Sequence, residues 1–95
     1  MNSRQRAYLR SLAMTMQPIF QIGKLGLTPE ITNSVDQALE ARELIKISVL
    51  KNCDDDVRTL ADTLAERTQA VPVQNLGRKI TLYRPAKKPK IELPK

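Results

Sequence analysis

Neither histidine nor tryptophan occurs among the 95 residues of this chain, and it has one cysteine, Cys53. Those absences exclude histidine-based triads, histidine metal sites, zinc fingers and disulfide scaffolds. Aromatic side chains are almost as scarce. Tyr8, Phe20 and Tyr83 are too few for the cluster of exposed rings on which RRM or cold-shock sheets stack bases. No apolar stretch approaches the ~20 residues that span a bilayer. Met1-Asn2-Ser3-Arg4-Gln5-Arg6 is followed by no apolar segment of the kind a secretory signal carries. The expectation is one domain, in a reducing cytoplasm, away from any membrane.

The first 29 residues also lack acid altogether: Arg4, Arg6, Arg10 and Lys24 give them a net charge of +4. Residues 30–67 hold nine acids against five bases, a net of −4. From residue 68 onward Arg78, Lys79, Arg84, Lys87, Lys88, Lys90 and Lys95 face Glu92 alone, for +6. Both ends are basic and the middle is acidic. If the ends meet in space, one face steers toward a polyanion and the other is repelled by it. A generally solubilising surface is the plainer alternative.

Hydrophobic spacing supplies the elements. Ser3 is the expected cap of a first helix in which Leu9, Leu12, Ala13 and Met16 form one stripe, and Pro18 is its expected stop. A short strand, Ile19-Phe20-Gln21-Ile22, runs into Gly23-Lys24-Leu25-Gly26. Thr28-Pro29 then reads as an N-cap with proline in the first helical position, opening a helix striped by Ile31, Val35, Ala38 and Leu39. Glu40, Arg42 and Glu43 look like its solvated end. Leu44–Leu50 is a β-branched strand, with Lys46 and Ser48 alternating against Ile45, Ile47 and Val49. Asn52–Asp56 offers caps to a third helix carrying Val57, Leu60, Ala61, Leu64 and Ala65. Val71–Leu76 and Lys79–Arg84 flank Gly77-Arg78 as a hairpin. The order α-β-α-β-α-β-β implies an α/β fold: a mixed four-stranded sheet with a right-handed parallel crossover, an antiparallel final pair and packed helices. After Pro85 the chain is rich in proline and lysine without periodicity. Residues 85–95 are therefore expected to be a basic, mobile tail.

The Gly23–Gly26 loop carries the most chemistry. Two glycines let backbone approach a ligand, the N–H groups at a helix start favour an anion, and Lys24 projects between them. A GxxG loop of this kind clamps a nucleic-acid backbone. The lysine directly follows the first glycine, and Leu27 stands where a P-loop has Lys-Ser/Thr, so this is not a P-loop. The three-glycine dinucleotide fingerprint is absent too. A simple tight turn is the competing reading. Asp54-Asp55-Asp56 is better explained as helix capping than as a metal cluster, because consecutive residues cannot all face one point. Cys53 reads as a packing residue and Phe20 as core, while Tyr8 and Tyr83 could stack on a base, although half-buried structural tyrosines are commoner.

Gln17-Pro18-Ile19-Phe20-Gln21-Ile22-Gly23-Lys24-Leu25-Gly26-Leu27-Thr28, followed at a helix's distance by Ala38-Leu39-Glu40-Ala41-Arg42-Glu43-Leu44-Ile45-Lys46-Ile47, resembles the CRM domain (chloroplast RNA splicing and ribosome maturation), in its bacterial stand-alone YhbY-like form. The resemblance makes residues 1–84 the RNA-binding domain. It implies a fold similar to the C-terminal domain of bacterial translation initiation factor three. It also implies binding of RNA in precursors of the large ribosomal subunit, with the loop as the contact. Gly23, Lys24 and Gly26 carry that motif, with Leu25 inside it. Charge placement adds Arg4, Arg6, Arg10, Arg78, Lys79 and Arg84 to the expected RNA-binding set. A monomer without cofactor, metal ion or catalytic residue is expected, since no nucleophile–base pair is available. The rival reading is a protein-interaction module whose acidic centre docks a basic partner.

Overall fold

The computed structural model describes all residues, Met1–Lys95. Its elements follow the expected order: α1 (Ser3–Ala13), β1 (Phe20–Ile22), α2 (Pro29–Arg42), β2 (Leu44–Val49), α3 (Val57–Thr68), β3 (Val71–Leu76) and β4 (Lys79–Tyr83). The strands lie in the order β1-β2-β4-β3; β1 and β2 are parallel, the other neighbours antiparallel.

Strand alternation divides the core in two. Ile45, Ile47 and Val49 of β2, with Ile80 and Leu82 of β4, face α2 and α3 and form the larger cluster around Val35, Leu39, Leu60 and Leu64. Leu44, Val73 and Tyr83 emerge on the other face beneath Leu9 and Ala13 of α1. Cys53 is buried within the larger cluster, as a packing residue would be.

Register fixes which loops meet. Ile22 pairs with Val49, Ser48 with Lys79, and Lys79 with Leu76. The Gly23–Gly26 loop, the Leu50–Asp56 loop and the Gly77-Arg78 turn therefore gather at one end of the sheet. Leu44, Tyr83 and Val71 mark the opposite end.

Four local expectations need correcting. Asn2 caps α1, not Ser3: its side chain accepts the Gln5 N–H at 2.8 Å while Gln5 Oε1 accepts the Asn2 N–H, a reciprocal box. Pro18 does not stop α1, which ends at Ala13, where Lys46 Nζ donates to Ala13 O (2.9 Å) and Met16 O (3.4 Å). Leu12 is exposed, so the apolar stripe is narrower than the spacing suggested. Glu43 is not solvated but fully buried. It adopts a positive φ of 67° as the single residue between α2 and β2.

Glu43 also explains why the last residues do not lie free in this structure. Its carboxylate accepts backbone N–H groups from Ala86 (3.1 Å), Lys90 (2.6 Å) and Ile91 (3.0 Å). Ile91 and Leu93 pack against the α1 cluster, and Arg4 and Gln5 donate to Lys95 O and Pro94 O. The segment expected to be a mobile tail is folded back across the domain. Its apolar residues are two apart and so escape any helical periodicity count.

Candidate nucleic-acid interface

The Gly23–Gly26 loop is a four-residue turn closed by Gly26 N–H donating to Gly23 O at 3.0 Å. Gly26 is buried with φ +66°, a conformation that costs a side-chain-bearing residue about 1 kcal/mol or more. Lys24 and Leu25 occupy the two central positions, and both are exposed, Leu25 by 85%. Neither backbone N–H donates within the protein. The turn therefore offers two unpaired N–H donors with a free ammonium beside them, the elements of an anion site.

The helix that follows contributes less than expected. Thr28 Oγ1 already accepts the Ile31 N–H, Pro29 has no N–H, and Glu30 puts a negative charge in the first turn of α2. A carboxylate also stands close by. Asp55 Oδ2 lies 2.6 Å from where a Cβ on Gly26 would sit. An incoming phosphate would meet the turn's own donors and Lys24, with Asp55 as a neighbour that must yield.

Arg78 is at this end of the sheet, but its guanidinium is already engaged. It donates to Val49 O (3.0 Å), Leu50 O (2.6 Å) and Cys53 O (3.4 Å), binding the β2–α3 loop to the hairpin. Since Leu50 N–H donates to Ile22 O (2.8 Å) and Asn52 Oδ1 packs against Gly23, Arg78 holds the platform on which the turn rests. Lys51, exposed between those contacts, is a further cation at this end, and no local pattern marked it.

The remaining predicted cations separate. Arg10 and Lys79 come together in a groove between α1 and the open part of the sheet, above Lys46. Arg6 Nη1 donates to Pro72 O at 2.6 Å along β3, and Arg4 holds the chain terminus. Arg84 lies apart from the others. Its guanidinium, 17% exposed, donates to Asp36 Oδ1 (2.6 Å), Thr68 O (2.7 Å) and Asp36 O (2.9 Å) at the far end of the sheet. Its charge joins β4 to α2 and α3 and does not face outward.

A small mixed α/β domain with an exposed GxxG turn and a basic sheet face has the architecture of a nucleic-acid-binding module. The chain belongs to the CRS1/YhbY (CRM) domain family, whose model matches residues 1–84. It is 43% identical over 95 residues to the Bacillus subtilis protein named "Probable RNA-binding protein YqeI", covering 99% of both chains. It is 30% identical to a Haemophilus influenzae RNA-binding protein, covering all of this chain and 96% of that one. Its fold matches, at a TM-score of 0.84 and 48% identity over 99% of each chain, the solution structure of a hypothetical Staphylococcus aureus protein described as a candidate RNA binder.

Proposed function

We propose that this protein binds structured ribosomal RNA and assists assembly of the large ribosomal subunit, holding or shielding an RNA element during maturation without catalysing a reaction. The observation that carries the reading is the Gly23–Gly26 turn, with two free N–H donors, a positive-φ glycine and the Lys24 ammonium at one exposed point. Such a turn suits a phosphate backbone and is sequence-independent. Family membership and RNA-binding relatives support the ligand class. With three aromatic residues in all, the recognition is of shape and phosphates in a folded RNA, not of a row of splayed bases.

Lys24→Glu tests it. The side chain is exposed on a turn, so stability should change by no more than about 0.5 kcal/mol. The variant should keep the parent's melting temperature yet leave the large-subunit precursor fractions of a sucrose gradient. Arg67→Glu, in the exposed last turn of α3, changes the net charge equally and should remain with the precursors. If the Lys24 variant sediments with precursors as the parent does, the loop is only a turn. If parental association disappears once partner proteins are removed, the protein-docking reading replaces this one.

A further inference from the structure

Helix α1 covers only the half of its sheet face nearest Tyr83 and Leu44. Beyond it a groove of about 390 Å³ lies between α1 and the rows where Lys46, Thr81 and Gln74, then Ser48, Lys79 and Leu76, stand side by side. Its size falls at the small end of the range for pockets that hold one organic molecule. Arg10 and Lys79 line it from opposite walls and are exposed, with Lys46 between them. No carboxylate lines it. The hollow of about 560 Å³ beside β3 is different, mixing Asp56 and Asp62 with Arg6 and Arg58.

The groove is also apolar where apolar residues are least expected. Met14 is 81% exposed and Leu76 70% exposed, and both belong to its lining. Two large side chains left in water beside two unpaired cations ask for an occupant that is flat and apolar in one part and anionic in another. A nucleotide has that chemistry: a base face suits a thioether and a leucine, and its phosphate suits Arg10 and Lys79. The row also continues outward. Ser48 pairs with Gln21, and Gln21 is two residues from Gly23. Lys79, Ser48 and Gln21 thus form one row across the sheet, and β1 leads from Gln21 directly into the turn that carries Lys24.

We propose that this groove takes a single unpaired nucleotide of the RNA held by the Gly23–Gly26 turn, its base on Met14 and Leu76 and its phosphate between Arg10 and Lys79. The inference rests on the RNA-binding reading above and adds a preference for RNA with a nucleotide free of the stem. Gln74, half-buried in the lining, supplies an amide to the edge of the base.

The test uses the full chain and two RNA hairpins of equal length, one fully paired and one with 2-aminopurine as a lone bulged nucleotide. The parent should bind the bulged hairpin about tenfold more tightly and change the probe's fluorescence. Met14→Ser combined with Leu76→Ser alters two exposed positions and no charge, so folding and affinity for the paired hairpin should persist. The preference and the fluorescence change should both vanish. Equal parental affinity for the two hairpins overturns the groove proposal and leaves the turn intact as the RNA contact. So does a double variant that keeps the preference. Failure of the parent to bind either RNA overturns both proposals. If the double variant keeps the preference but leaves the precursor fractions, the groove is a protein-docking surface.

Discussion

At Glu43, one buried side chain joins three parts of the molecule. Its N–H donates to Leu39 O in α2, its carbonyl accepts the Arg84 N–H after β4, and its carboxylate gathers three N–H groups of the C-terminal segment. Burial by itself would raise its pKa. The N–H groups of Lys90, Ala86 and Ile91 and the Lys90 charge outweigh that and hold it below the ordinary 4.5. A depressed folded-state pKa adds stability that is complete above that ordinary value and is lost as pH falls below it. Glu43→Gln should therefore be less stable at pH 7, with a flatter loss of melting temperature between pH 5 and 3 on an acid series; parallel profiles would remove the carboxylate as the cause. Nothing near Glu43 in the sequence distinguishes it from a solvated helix end, because its partners lie more than forty positions away. The Gly23–Gly26 turn was legible for the opposite reason: its glycines and lysine act within four residues. Asp55, which crowds Gly26, looks in the sequence like a helix cap only, whereas the cap of α3 is Asp56. Removing a negative charge beside a phosphate site favours the bound state, so Asp55→Asn should tighten RNA binding about fivefold in a filter or anisotropy titration. Unchanged affinity would put the phosphate away from Gly26.

Among the elements, all three helices and four strands were legible because each carries its own periodicity or β-branched run. Their ends and the last residues depend on contacts from elsewhere in the chain. The end of α1 is set by a lysine from β2, a contact 33 positions distant that no local rule contains. The tail has the Pro/Lys composition of a linker, yet Ile91 and Leu93 reach the α1 cluster, a contact that composition does not encode. Deleting residues 86–95 exposes part of that cluster and strips the Glu43 carboxylate of its donors. The loss should be about 2 kcal/mol, or about 10 °C in melting temperature, by calorimetry. An unchanged melting temperature would mean that the docked segment contributes no net stability. Amide exchange gives an independent check, since the Lys90 and Ile91 amides should be slowed in the parent and fast in Glu43→Gln.

For the whole molecule, the charge asymmetry read along the chain survives folding only in part. Lys24, Lys51, Arg10 and Lys79 remain free along the loop end and the open sheet face. Arg78 and Arg84 spend their guanidinium groups on backbone and carboxylate partners. Four phosphate contacts predict a slope of log affinity against log salt between roughly −3 and −4, measurable by anisotropy titration. A slope near zero would contradict an electrostatic interface. Whether this surface meets ribosomal RNA is decided by ultraviolet crosslinking in cells with both partners of each adduct mapped. The expected result is RNA reads from the large-subunit rRNA and peptide adducts at Lys24 and Leu25, with a second set at Met14 or Leu76. Adducts confined to the α2–α3 face, or reads from other RNAs alone, would contradict it.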